Sequence, residues 1–226
     1  ERLLEQCGKH DEKTGPRFGR SIIRKLTPAD KVVFRRVLFY NKLTNDSGSR
    51  EDSIVMIGLK SGTVKLVQHQ EEWHENAENV ISVLKQLLGD TALDIQHVGS
   101  TAICSIHAKP IIDIAVAVHD IKDILPYIEV LKQHNIFFHE GAVAGEVFFV
   151  MEDGDIRTHH IHIVKRNGTG WSNYISFRDY LNANPEKAMM YDEFKRKSAV
   201  RFADDRKRYT ASKQEIIGQL LSEANM

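Results

Sequence analysis

The stretch from Asp94 to Val118 constrains this chain more than any other. It reads Asp-Ile-Gln-His-Val-Gly-Ser-Thr-Ala, then Ile-Cys-Ser-Ile-His-Ala, then Lys-Pro-Ile-Ile-Asp-Ile-Ala-Val-Ala-Val. An apolar lead-in of strand type, residues 93–98, runs into Gly99-Ser100. A second apolar run, residues 111–118, is short and rich in β-branched side chains, as a buried strand should be. Asp113 stands inside that run. A carboxylate in a buried strand is costly unless something positive meets it, and near a Gly-Ser turn the usual positive partner is a metal ion carrying phosphate. Gly99 opens backbone conformations closed to other residues and lets a ligand come close. A small turn after a strand exposes successive N–H groups that suit an anion. Ser100 and Thr101 add hydroxyl donors that serve a phosphate or cap a following turn. Asp113 then supplies oxygen to Mg²⁺, which bridges to the phosphates.

A second stretch points to the same place. The turn signal Asp153-Gly154 predicts a hairpin, with the partner strand running over residues 157–165 and ending at Asn167-Gly168. Alternation along that strand puts Thr158, His160, His162 and Val164 on one face and His159, Ile161 and Ile163 on the other. His160 and His162 form a same-face pair that one metal ion could touch. Imidazoles suit Zn²⁺, Mn²⁺ or Fe²⁺ better than Mg²⁺, or they carry protons instead. His97, beside the turn, is either a further participant or a hydrogen-bond partner of the turn.

A Gly-Ser turn followed by an Asp-apolar-x-apolar strand resembles the signature of the nucleotidyltransferase superfamily. That superfamily carries a second acid two positions after the first, where this chain has Ala115, so one expected ligand of a two-metal site is absent. The longer wording narrows the resemblance. His97-Val98-Gly99-Ser100-Thr101-Ala102 and Ala108-Lys109-Pro110-Ile111-Ile112-Asp113-Ile114 resemble the GrpB family, a branch of that fold. So do His160-Ile161-His162-Ile163-Val164, Phe177-Arg178-Asp179-Tyr180-Leu181 with Asn184-Pro185-Glu186 after it, and the segment around Trp73. The resemblance spans residues 57–221.

The resemblance implies an α+β fold: a nucleotidyltransferase-like mixed β-sheet flanked by helices, with a helical C-terminal region. It implies a nucleoside triphosphate as ligand, a divalent metal (Mg or Mn, with Zn admitted by the imidazoles), and transfer of a nucleotidyl group to an unspecified acceptor. Asp113, His160 and His162 are then the catalytic and metal-holding set. Gly99, Ser100, Thr101, Lys109 and Arg178 are the phosphate- and nucleotide-binding set. Two alternatives stay open. One is a degenerate module that binds a nucleotide or metabolite without turnover, linked to coenzyme A because GrpB-like domains are also found joined to dephospho-coenzyme A kinase. The other is a metal-dependent phosphoesterase.

Composition bounds the rest. The chain has 226 residues, enough for a proper core, with acidic and basic residues equal at 31 each. That balance does not steer it to nucleic acid, and no apolar stretch is long enough to span a bilayer. Cys7 and Cys104 make no disulfide framework, which suits a reducing cytoplasm. Residues 1–56 are expected to be a basic, helical appendage and linker, with a helix over 28–42 capped by Thr27, and residues 57–226 the GrpB-like domain. A strand is expected over 64–67 and an amphipathic helix over 71–88 ended by Gly89. A helix capped by Asp120 is expected over 121–134, and strands over 136–138 and 147–151. Helices are then expected over 171–181, from Pro185 with Asn184 as cap, and over 209–224. Met189 and Met190 are read as core. Lys195-Arg196-Lys197, Arg201, Arg206-Lys207-Arg208 and Lys213 are either the inward cations of a lid over a triphosphate or a solvated face balanced by Asp192, Glu193, Asp204 and Asp205.

Overall fold

The computed structural model describes residues 57–140 and 144–225. The basic appendage expected over 1–56 lies outside the described residues. The elements are β1 (Leu59–Lys60), α1 (Glu72–Leu88), β2 (Asp94–Val98), β3 (Ile112–Val118), α2 (Ile128–Lys132), β4 (Ile136–Phe138), β5 (Glu146–Asp153) and β6 (Ile156–Lys165). Four helices follow: α3 (Thr169–Ala183), α4 (Pro185–Arg201), α5 (Arg206–Ser212) and α6 (Gln214–Ala224). The α+β class, the mixed sheet flanked by helices and the helical C-terminal region are as expected.

The strand order is β2-β3-β6-β5-β4, with β1 also on β6. The β3–β6 pair is parallel, and its register sets Asp113 opposite His160 and Ala115 opposite His162. All other pairs are antiparallel. Period-2 alternation sorts the two faces. Ile112, Ile114, Val116, Ile161 and Ile163 pack with Trp73, Ala77, Val80, Ile81 and Leu84 of α1. Each such side chain, taken wholly out of water, stabilises the fold by about 1.5–3 kcal/mol. On the opposite face Val98, Ala115, Ala117 and Val164 pack under Trp171, Tyr174 and Ile175 of α3. A third apolar cluster ties Ile103 and Ile106, just after the Gly-Ser turn, to Phe177, Leu181, Ala188, Tyr191 and Leu220 of the C-terminal helices. The helical region is thereby clamped beside the turn.

Several expectations shift for physical reasons. The strand expected over 64–67 reduces to one bridge, Val67 with Ala108, and the β1 strand forms earlier. Asp120 does cap the following segment, in a capping box with Asp123, but the segment is a 3-10 helix over Ile121–Tyr127 that becomes α-helix only at Ile128. Pro126 inside it removes an N–H from the helical ladder and disfavours α geometry before it. Asn184 sits at the start of α4 without a side-chain cap bond; its Nδ2 instead donates to the Tyr180 carbonyl at 2.8 Å. Met189 and Met190 are not core: they are 67% and 38% exposed. The buried stripe of α4 runs through Ala188, Tyr191, Asp192, Lys195 and Ser198, which turns both methionines outward. The helix expected over 209–224 is two, α5 and α6, meeting at Lys213.

Candidate functional site

The site lies on the α3 face of the sheet, beneath the turn that closes β2. Gly99 has φ +70°, a left-handed conformation that L side chains rarely adopt, and a Cβ there would stand 2.5 Å from Asp113 Oδ2. Glycine is thus required on two counts: the backbone angle and the closeness of the turn to Asp113. The turn continues as a 3-10 segment, Ser100–Ala102, whose first amides no carbonyl of the segment itself can reach.

Asp113 is met by both histidines of the pair. His160 Nδ1 donates to Asp113 Oδ1 at 2.8 Å, and His162 Nε2 lies 3.5 Å from the same oxygen. Burial alone would raise the Asp113 pKa, but the hydrogen bonds and charges of His160 and His162 outweigh it and hold the carboxyl well below its usual range. His160 Nε2 accepts from Arg206 Nη2 at 3.1 Å, which fixes the proton on Nδ1. Burial keeps His160 neutral, down to about 4, against the pull of Asp113. His162 Nδ1 meets Glu146 Oε1 at 2.8 Å, while Tyr174 donates its hydroxyl to Glu146 Oε2 at 2.9 Å. Burial opposes charge on His162, yet its bonds to Asp113 and Glu146 and the charge of both carboxylates lift it to about 9. Burial and the Glu146 charge push the Tyr174 phenol upward.

One carboxylate and two imidazoles have ligand atoms all within 4.8 Å of one another, a set that would hold a divalent cation once the Arg206 donor leaves His160 Nε2. The His162–Glu146 pair is also how a metal-binding histidine is commonly oriented: one ring nitrogen bonded to a carboxylate, the other presented to the ion. This donor set suits Zn²⁺, Mn²⁺ or Fe²⁺ better than Mg²⁺.

The other expected residues divide. Gly99 borders Asp113 as anticipated, and Ser100 faces the phenol of Tyr191. The Thr101 hydroxyl is buried and committed to His97 Nε2 at 2.9 Å. His97 itself lies on the α1 face, in register with Ile114 and beside His74, and burial holds it neutral, down to about 4. It braces the turn. Arg178 Nη1 donates to Gln96 Oε1 at 3.0 Å and to the His97 carbonyl at 2.9 Å, and its Nε meets Asp179 at 2.8 Å. Its donors therefore bind the end of β2 to α3. Lys109 turns towards Asp113 and the Tyr209 ring, 5.5 Å from the ring centre. Lys195 is buried and donates to the His107 carbonyl, while Asp192 accepts from the His107 amide at 2.7 Å; together they pin α4 to the segment before β3.

Glu146 and Tyr174 escaped the sequence reading. The strand there was expected to begin at Val147, one residue too late, and nothing local to Tyr174 separates it from a packing residue. The signal for Glu146 was parity: it alternates with Phe148 and Val150, which lie opposite His162 and His160. Ala115, where a second acid was sought, is fully buried in the apolar cluster under Trp171.

The class that the fold defines is a mixed α+β sheet flanked by helices, here with a carboxylate–imidazole cluster under a Gly-Ser turn. The chain belongs to the GrpB family. The GrpB protein family profile matches residues 63–223. The glutamate-rich protein GrpB of Alkalihalophilus pseudofirmus is 37% identical over 173 residues, covering 74% of this chain and 99% of that protein. The crystal structure of GrpB from Enterococcus faecalis is similar at a TM-score of 0.66 and 29% identity, over 71% of this chain and 96% of the other. A crystal structure of the Cid1 poly(U) polymerase with MgGTP bound gives a TM-score of 0.43 and 13% identity, over 60% of this chain and 44% of the other, a likeness too faint to bear on function. Among the described residues no helix is long and apolar enough to cross a membrane.

Proposed function

We propose that this chain binds a nucleoside triphosphate together with a divalent metal and transfers a nucleotidyl group to an acceptor hydroxyl, amine or phosphate. The observation that carries the reading is the parallel register of β3 and β6, which sets Asp113 beside His160 and His162 directly under the Gly99 turn. Asp113, His160 and His162 would hold the ion, which when bound polarises phosphoryl oxygens. The turn at Gly99 and Ser100 takes phosphate on backbone amides, and Lys109 balances its charge. Glu146 and Tyr174 hold the His162 ring by its Nδ1. Catalysis on this plan is mostly positioning and electrostatics.

Ala115 favours a second reading, a module that binds a nucleotide and does not consume it. A methyl group packed under Trp171 stands where a second metal-binding acid would be needed. The test is calorimetric titration with ATP, GTP, CTP and UTP in Mg²⁺ or Mn²⁺, on the wild-type chain and Asp113→Asn, followed by assay for pyrophosphate release. Metal-dependent binding lost in the variant supports the site. Binding without any release selects the module, and binding unchanged by Asp113→Asn sinks the metal-dependent transferase reading.

A further inference from the structure

The C-terminal helices carry two kinds of cation. Four of those facing outward have carboxylate partners: Lys187 lies 2.7 Å from Glu223, Arg196 3.1 Å from Asp192, Lys197 2.7 Å from Glu193 and Arg208 3.5 Å from Asp205. Arg206 and Lys213 turn the other way. Arg206 Nη2 reaches His160 Nε2 at 3.1 Å. Lys213 Nζ lies 4.8 Å from the centre of the Tyr209 ring, and Lys109 Nζ lies 5.5 Å from the same ring. Arg157, at the start of β6, is within electrostatic reach of both Lys109 and Arg206.

Among the described residues none of Lys109, Arg206 and Lys213 forms an ion pair with a carboxylate. Arg157 has a loose contact with Glu152 at 3.6 Å, and its Nε is buried with no hydrogen-bond partner. The acid they share electrostatically, Asp113, is already engaged by two histidines. Burial first, then neighbouring cations, pushes the Lys109 ammonium down to about 7. Burial also lowers Lys213. Gathering half-buried like charges opposes folding, and apolar residues of the same volume would pack at lower cost. The arrangement makes sense when an anion completes it.

We infer that Lys109, Arg157, Arg206 and Lys213 form an anion subsite, and that the compound bound at the Asp113 cluster carries at least two phosphoryl groups, one of which lies among these four cations. The inference rests on reading the Asp113 cluster as a phosphoryl site and deepens it by assigning the residues that hold the second phosphoryl group. Arg206 touches His160, so the subsite adjoins the cluster and both can be spanned by linked phosphates. A phosphoryl group brings several acceptor oxygens and close to two charges, which suits four donors better than a single carboxylate does. A monophosphate would fill one place and leave the other unmatched.

The experiment is calorimetric titration of the full 226-residue chain with inorganic phosphate, pyrophosphate and tripolyphosphate in chelator-containing buffer. Pyrophosphate is expected to bind at least tenfold more tightly than phosphate. Arg206→Gln and Lys213→Gln are each expected to weaken it tenfold or more, and Lys213→Arg to restore it, with circular dichroism confirming the fold. Asp113→Asn is expected to keep or tighten this metal-free binding, since it removes a repelling carboxylate. Equal affinity for phosphate and pyrophosphate, or full pyrophosphate binding in both glutamine variants, overturns the subsite even if nucleotides bind with metal. Pyrophosphate binding that follows the variants supports the subsite even if no nucleoside triphosphate binds, and the nucleotide reading then fails alone.

Discussion

The two faces of the central sheet give the same residue type different partners, and only on one of them does a histidine, His162, take up charge. On the α1 face, His159 is fully buried, with Nε2 bonded to Asn76 Oδ1 at 2.8 Å and Nδ1 3.0 Å from Thr158 Oγ1. His97, on that face too, is spent on Thr101. Burial holds both neutral, at about 3 and about 4. One residue along β6, His160 and His162 face Asp113 and, through His162, Glu146. The difference is imposed by strand parity and register. A histidine pointing into the helix-covered core finds a neutral amide or hydroxyl; its neighbour, pointing under the Gly99 turn, finds carboxylates. A histidine's identity therefore says little until its face is known.

The comparison can be broken most forcefully by exchanging the outcomes of two adjacent alanine variants. His159→Ala removes a packed ring and strands the buried Asn76 amide. It should cost about 2–4 kcal/mol of folding stability, read by denaturant unfolding, while leaving metal affinity unchanged. His160→Ala should be told apart by metal affinity, which falls at least about a hundredfold. If His159→Ala were instead the variant that lost metal, the face assignment would be wrong. Next in size, Glu146→Gln keeps the shape but weakens the hold on the His162 ring, and metal affinity should drop by about tenfold to a hundredfold. No change would make Glu146 a bystander.

The pH profile sharpens the same contrast. His97 and His159 have folded pKa values below the ordinary 6.5, so the unfolded chain takes up their protons first. Their contribution is fully present above pH 6.5 and is lost as pH falls towards about 4 for His97 and about 3 for His159. The expected slope is about 1.4 kcal/mol per pH unit for each histidine, measured as unfolding free energy of the metal-free chain. His159→Gln should make the slope shallower. Smallest of all, Met189→Ala on the exposed side of α4 should stay within about 0.5 kcal/mol of wild type in the same measurement. A larger loss would mean that this side of the helix is covered.

Much of this was legible in the sequence, and the reasons are local. The β-branched run around Asp113, the Gly-Ser turn, the Asp153-Gly154 hairpin and the alternation of His159, His160 and His162 each follow from period and turn chemistry. They place three of the site's side chains. What the sequence hid is non-local. Glu146 reaches His162 only because β5 pairs with β6 in one register, and Arg206 reaches His160 only because α5 folds back over the sheet. Thr101 and Arg178 have the chemistry of phosphate ligands, but their hydrogen bonds are spent on His97 and the end of β2. Met189 and Met190 failed because helix phase, set by Tyr191 and Lys195 turning inward, overrode apolar character.

The most direct test is a calorimetric titration of Mn²⁺ into the chelator-stripped chain, wild type beside Asp113→Asn. One ion bound per chain, and its loss in the variant, is the result predicted by a metal site on Asp113, His160 and His162. Absence of Mn²⁺ binding, or equal binding by both chains, would contradict it.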